Sequence, residues 1–253
     1  MRMLADKYAH RGYHDKPTIP ENSMAAFRRA IEHGWGVEFD VHLIADGSLV
    51  VFHDEELERE TGVRGKIEDY DIVNLGRLRL EETDERIPTF SEVLELFENT
   101  PGPDGKLCPL LIELKVARGN YRALVKAVCE RLDTYSGDFV IESFDPRALI
   151  VLRKIRPEIV RGQLVQNFIA SPEGLPVYQR VVLTHMLFNP LTRPDFIAYR
   201  FSHGLKTSVM NRLRKRGVQF ASWTIGTETE FRASEEMSVT PIFERFNPDR
   251  SEK

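Results

Sequence analysis

The chain has 253 residues, 42% of them hydrophobic and 29% charged, an ordinary globular balance that excludes wholesale disorder. Thirty-five basic against 39 acidic residues give a formal charge of -4, which argues against a nucleic-acid protein, since that function needs a basic footprint. No apolar stretch approaches the ~20 residues that span a bilayer, so integral membrane anchoring is excluded.

Met1 to Lys7 bring charge before any apolar run, so no secretory signal is expected. Cys108 and Cys129 lack ligand-like spacing; they are expected to be packing residues and fit a reducing compartment. Tyr8-Ala9-His10 is the first strand candidate. Asn22 or Ser23 caps the first helix, Met24, Phe27 and Ile31 line its apolar face, and Gly34 ends it. Gly36 to His42 alternates with period two, and Leu49 to Phe52 follows the Asp46-Gly47 turn as a hairpin partner. Residues 55–87 are charge-rich, broken by Gly62, Gly65 and Gly76, and read as a small insertion after the second strand.

Thr89 and Glu92 form a capping box that opens a helix through Val93, Leu94 and Phe97. A strand over 110–116 follows, then a helix bearing Leu124, Val128 and Leu132, then a strand over 139–141. Asp145-Pro146 opens the next helix and Arg156-Pro157 closes it. The remaining strands are predicted at 159–165, 196–199, 218–223 and 239–243, with helices near 207–216 and 228–237. Residues 171–195 read as helix plus loop. Strands alternating with helices predict a parallel sheet. Eight parallel candidates, with the hairpin partner set aside, favour a closed TIM (β/α)8 barrel formed as one domain by residues 1–253. Asn247-Pro248-Asp249-Arg250 leaves no room for a full eighth helix.

In such a barrel, chemistry belongs at the C-terminal ends of the strands. His10-Arg11-Gly12 ends the first, Glu38 and Asp40 the second, His53 and Asp54 the hairpin, and Glu113 and Lys115 the next parallel strand. Apolar Val37, Phe39 and Val41 suit the helix layer, which turns Glu38 and Asp40 inward. Three carboxylates in one mouth repel each other: at ~5 Å and an effective dielectric near 20, each pair costs roughly 3 kcal/mol. Such a site either protonates a carboxylate or holds a cation. Residues two apart on a strand lie ~6.6 Å apart, so both side chains can reach one ion. An all-oxygen set points to Mg²⁺ or Ca²⁺ over zinc and leaves those two open.

Taken singly, each group has a bland reading. Glu-x-Asp is usually a solvent-facing edge, a lone histidine a hydrogen-bonded bystander, and Glu-x-Lys a surface pair. Their shared position at separate strand ends favours one common site. Arg212-Leu213-Arg214-Lys215-Arg216 reads as a solvated helix end. Trp223 ends a late strand, either as core or as a wall of the mouth. His185 and His203 receive no assignment.

The runs Ala9-His10-Arg11-Gly12, Pro20-Glu21-Asn22-Ser23, Glu38-Phe39-Asp40-Val41, His53-Asp54, Ile112-Glu113-Leu114-Lys115, Ser143-Phe144-Asp145 and Trp223-Thr224 resemble those of glycerophosphodiester phosphodiesterases, over nearly the whole length. The size resembles the compact bacterial, cytoplasmic type. The resemblance implies a TIM barrel with an insertion after the second strand. It implies metal-dependent hydrolysis of a small-molecule glycerophosphodiester to glycerol 3-phosphate and an alcohol, with the glycerol 2-hydroxyl attacking first through a cyclic phosphate. It also implies roles: His10 and His53 as the acid–base pair, Glu38, Asp40 and Glu113 as ligands of one divalent cation, and Arg11 and Lys115 on the phosphate. Trp223 would contact the glycerol or leaving-group side, with Glu21 and Asn22 supporting the site.

Two alternatives stand beside this reading. One is a lysophospholipase D-like relative using the same residues, with Phe188, Leu191 and Phe201 as candidates for an apolar mouth. The other is a catalytically silent barrel used as a binding module, against which every histidine and carboxylate of the set is retained. The departures from the family pattern are Phe243-Glu244, where Thr-Asp is usual, and the segment from Phe168 to Arg200. Both bear on the leaving group more than on the phosphate chemistry.

Overall fold

Among the described residues, nine strands form one sheet whose first and last parallel members meet. In chain order the computed structural model contains β1 (Tyr8–His10), α1 (Met24–Glu32), β2 (Gly36–Leu43), β3 (Leu49–Val51), α2 (Glu58–Thr61), α3 (Ile72–Leu75), α4 (Phe90–Asn99), β4 (Leu110–Leu114), α5 (Tyr121–Leu132), β5 (Phe139–Ser143), α6 (Pro146–Ile155) and β6 (Arg161–Val165). The second half holds α7 (Val177–Thr184), α8 (Asn189–Thr192), β7 (Phe196–Arg200), α9 (Thr207–Arg214), β8 (Gln219–Ile225), α10 (Glu228–Glu236) and β9 (Thr240–Phe243). The structure describes residues 5–172 and 174–249; Met1 to Leu4 of the N-terminal run read as lacking a signal, and Arg250 of the closing run, lie outside them.

The hydrogen-bonded order β1-β9-β8-β7-β6-β5-β4-β2 is parallel throughout, and β1 pairs with β2 to close the ring. β3 adds antiparallel to β2. The eight-strand barrel predicted from the sequence is therefore the observed fold, and among the described residues no helix follows β9.

Period-two alternation sorts the side chains into two layers. Val37, Phe39, Val41, Ile112 and Ile141 face outward and pack with Phe27, Phe90, Phe97 and Val128 of the helices in the largest apolar cluster. Tyr8, Leu111, Val140, Leu164, Phe196, Ala198, Ala221 and Ile242 fill the barrel interior. That apolar plug occupies the lower interior and leaves the inward positions nearest the mouth to polar residues.

The helix ends follow the sequence signals. Thr89 and Glu92 make both halves of the capping box. Asp145 caps α6, with proline in its first turn. Of the two cap candidates for α1, Ser23 accepts the Ala26 N–H, while Asn22 turns its side chain toward the barrel. The charged stretch after β3 folds over a satellite cluster of Ile44, Val50, Phe52, Leu57, Ile67, Leu75, Leu80 and Ile87. The ambiguous 171–195 segment contains α7 and α8. Of the three residues considered for an apolar mouth, Phe188 and Leu191 are exposed, but Phe201 packs against the main cluster.

Candidate active site

The sheet register sets the site. His10 pairs with Glu38 across β1 and β2, Asp40 pairs with Glu113 across β2 and β4, and Glu113 pairs with Glu142 across β4 and β5. Parallel neighbours lie about 4.8 Å apart, so these inward side chains converge by construction. Glu38, Asp40 and Glu113 are all buried, and one carboxylate oxygen from each falls within 4.8 Å of the other two.

The turn after β1 aims the next residues. Arg11 and Gly12 both take positive φ, 55° and 79°, and a Cβ at Gly12 would lie 2.9 Å from that of Ala26. This bend brings the Arg11 backbone N–H within 3.0 Å of Glu38 Oε2, to which it donates. The Arg11 guanidinium donates to Glu21 Oε1 at 2.7 Å and sits 3.7 Å from Asp40 Oδ2. Its Nε is buried with no hydrogen-bond partner. Glu21 is gripped on other sides by Lys16 and Arg59, each at 2.8 Å. Asn22 donates from Nδ2 to Asp40 Oδ2 at 2.9 Å. The Pro-Glu-Asn element thus orients one cation and one carboxylate of the cluster.

Lys115, just beyond β4, places Nζ 3.1 Å from Glu113 and 3.3 Å from Asp40. His53 follows β3, whose end is tied to β2 where Phe52 N–H donates to the Asp40 carbonyl at 3.1 Å. Its Nδ1 lies 2.5 Å from Asp54 Oδ1, and Arg59 holds the other oxygen of Asp54. Buried His42 contacts Glu68 at 2.7 Å and the His53 carbonyl at 3.4 Å, linking the inserted segment to the mouth. Trp223 stands at the rim: its Nε1 donates to the Ala198 carbonyl, its ring meets Phe144 edge-on, and Arg200 lies over it at 5.9 Å. A cavity of about 160 Å³ opens beside Glu113, Lys115, Ser143 and Phe144. A groove of about 1120 Å³ lies elsewhere, between the helices around β7.

Two site neighbours escape the sequence reading. Glu244, directly after β9, sets Oε2 3.0 Å from His10 Nδ1 and 3.6 Å from His14 Nε2. Glu142 is a fourth inward carboxylate, 1% exposed, with Oε2 lacking a hydrogen-bond partner. The signal for Glu142 is the Ile-Glu dipeptide that β4 also carries, one strand on. The signal for Glu244 was seen only as a departure from a pattern.

Electrostatics follow from this crowding. Burial, and then the charges of Asp40, Glu113 and Glu142, raise the Glu38 pKa well above the usual carboxylate range. Burial raises Glu113 to about 7 against the pull of Lys115. Burial also opposes ionisation of Asp40, but Lys115, His53, Arg11 and the Asn22 hydrogen bond overcome it and hold that carboxyl below its ordinary value. Burial and Arg11 lower His10 to about 4 despite Glu244, and burial lowers His53. Both imidazoles are therefore neutral at neutral pH and able to accept a proton. Four buried carboxylates facing Arg11 and Lys115 form a hard, all-oxygen set in charge deficit, and a divalent cation fits it.

A model of the glycerophosphoryl diester phosphodiesterase family matches residues 10–245. The chain belongs to that family. It is 30% identical over 226 residues to a glycerophosphodiester phosphodiesterase of Caldanaerobacter subterraneus subsp. tengcongensis, covering 86% of this chain and 84% of the relative. A phosphodiesterase of Oleispira antarctica, solved in complex with the product sn-glycerol-3-phosphate, superposes with a TM-score of 0.78 at 24% identity, over 95% and 93% of the two chains. A glycerophosphodiester phosphodiesterase structure from Thermotoga maritima matches at 27% identity with a TM-score of 0.68, over 96% of each chain. Family membership makes this barrel one of a family of enzymes, and its acidic triad is a group that could hold a metal ion.

Proposed function

We propose that the protein hydrolyses glycerophosphodiesters to glycerol 3-phosphate and an alcohol at the mouth of the barrel. The observation that carries this reading is the convergence of Glu38, Asp40 and Glu113 within 4.8 Å, beside His10 and within the reach of His53. Those three carboxylates would hold one divalent cation, Mg²⁺ or Ca²⁺, which when bound neutralises the phosphate and polarises its oxygens.

The remaining work falls to the chain's own residues. Arg11, fixed by Glu21, offers a planar fork to two phosphate oxygens, and Lys115 supplies a point charge beside it. One histidine takes the proton from the attacking oxygen as it bonds to phosphorus. The other histidine, having first taken a proton from solvent at Nε2, passes it to the oxygen of the departing alcohol as that bond breaks. One water is consumed overall. Asp54 and Glu244 each hold an Nδ1, which leaves the Nε2 atoms for this chemistry. Trp223 and Phe144 wall the side on which the leaving group would sit.

The test is His10→Ala and His53→Ala, made separately and assayed on glycerophosphocholine with Mg²⁺, Ca²⁺ or Mn²⁺. Each is expected to lose at least about 10²-fold in kcat. Near wild-type turnover in either variant overturns the acid–base assignment. Turnover of lysophosphatidylcholine in preference to glycerophosphocholine overturns the substrate class.

A further inference from the structure

The charge of this chain is unevenly placed. Between Glu158 and Glu228 it carries nine Lys and Arg residues against two acidic ones, whereas the rest carries 26 against 37. The fold gathers much of that excess around the 1120 Å³ groove between α7–α8 and α9. Arg193 lies on one wall, Lys206, Arg212 and Arg216 on the other, and no carboxylate lines the groove among the described residues. All four cations are exposed. Several arginines elsewhere on the surface are matched, as in Arg118–Asp69, Arg147–Asp145 and Arg232–Glu235.

The segment that forms the α7–α8 wall also carries exposed apolar side chains, none of which lines the groove itself. Of eleven exposed large hydrophobic residues among the described ones, seven fall between Ile169 and Leu191. Val177, Tyr178 and Val181 of α7 are exposed, and α7 buries no residue at all. Leu187, Phe188 and Leu191 follow at and before α8 with 59%, 37% and 54% of their surface in water. A surface helix with no fully buried residue and several exposed apolar side chains, set across a groove from arginines without an ion pair among the described residues, has the chemistry of a segment lying in a membrane interface. Nucleic acid would satisfy the cations but offers no apolar layer to the leucine and phenylalanine side chains.

We propose that the face built by α7, α8 and α9 docks the protein on an anionic lipid surface. The apolar residues enter the headgroup–acyl boundary while Arg193, Lys206, Arg212 and Arg216 meet lipid phosphates. The upper end of the groove reaches Gln166 and Arg200, and Arg200 stands over Trp223, so docking brings the barrel mouth beside the membrane.

The test is sedimentation of the full chain with vesicles of phosphatidylcholine and phosphatidylglycerol, against phosphatidylcholine alone. The expected result is partitioning onto the anionic vesicles that weakens with salt. The double variant Arg212→Ser with Arg216→Ser should bind about thirtyfold more weakly. Phe188→Ser with Leu191→Ser should bind at least about tenfold more weakly. Both pairs lie outside the barrel mouth, so turnover of soluble glycerophosphocholine should stay at the wild-type level, which also shows that they fold. Failure to bind anionic vesicles at low salt overturns the proposal. So does equal binding to neutral vesicles, or binding to duplex DNA that the arginine pair abolishes and the apolar pair leaves unchanged.

Discussion

Oε2 of Glu244 lies 3.0 Å from Nδ1 of His10, joining the last barrel strand to the first across the point of closure. The contact fixes the imidazole so that Nε2 faces Glu38, 3.9 Å away. A carboxylate in that position favours the Nδ1–H tautomer and stabilises the imidazolium once a proton arrives. Glu244→Gln keeps the shape and removes the charge. It is expected to lower kcat on glycerophosphocholine about a hundredfold with little change in KM, and Glu244→Asp should recover part of that loss. Unchanged kcat in Glu244→Gln would show that His10 needs no such partner.

The acidic cluster is costly to the fold. Glu38 is raised well above its usual pKa by burial and by three neighbouring carboxylates. Glu38→Gln removes the cost of holding that carboxyl protonated above its usual range, while the side-chain oxygen can still accept from Arg11 N–H. Metal-free Glu38→Gln is expected to be more stable than metal-free wild type by roughly 1–3 kcal/mol, a rise of about 2–4 °C in Tm per kcal/mol at this size. The shift in Tm that Mg²⁺ or Ca²⁺ gives the wild type should vanish in the variant. Thermal unfolding with and without chelator measures both effects.

Asn22 carries φ of 53° and spends its side chain on Asp40, not on capping α1. Removing that hydrogen bond leaves a metal-ligand candidate free to rotate. Asn22→Ala is expected to weaken divalent-ion binding about 10- to 100-fold, as read by calorimetric titration of Mn²⁺ into chelator-treated protein. An unaltered affinity would reduce Asn22 to a packing residue.

Glu21 supplies a pH signature. Burial would raise its pKa, but Arg11, Arg59 and Lys16 outweigh burial and hold it far below the usual range. A carboxyl depressed in the folded state stabilises the fold fully above the unfolded value of about 4.3 and loses that contribution as pH falls toward the folded value. Glu21→Gln should therefore be roughly 2–4 kcal/mol less stable than wild type at neutral pH, and the gap should close below about pH 4. Urea midpoints across that range provide the measurement, and a gap independent of pH would contradict the ion-pair account.

Much of the barrel and most of the site are legible in the sequence because both rest on local periodicity. Glu38, Asp40 and Glu113 are inward for the same reason that Val37, Phe39 and Ile112 are outward. What stays hidden depends on which strands become neighbours. Glu244 reaches His10 across 234 positions of chain, and only closure of the ring brings them together. Glu142 belongs to a strand predicted to stop at 141, one residue short of the carboxylate. The exposed α7 was ambiguous for a different reason. Its apolar side chains imply a buried face, but Val177, Tyr178 and Val181 stay exposed and no residue of the helix is fully buried.

The central claim is that three carboxylates from two adjacent strands hold one hard cation. Anomalous diffraction from crystals soaked in Mn²⁺ tests it most directly. The account predicts one peak per chain, within about 2.0–2.6 Å of an oxygen from each of Glu38, Asp40 and Glu113, and none in crystals of Asp40→Asn. No peak at that position in crystals of active protein, or a peak bound by other residues, would contradict it.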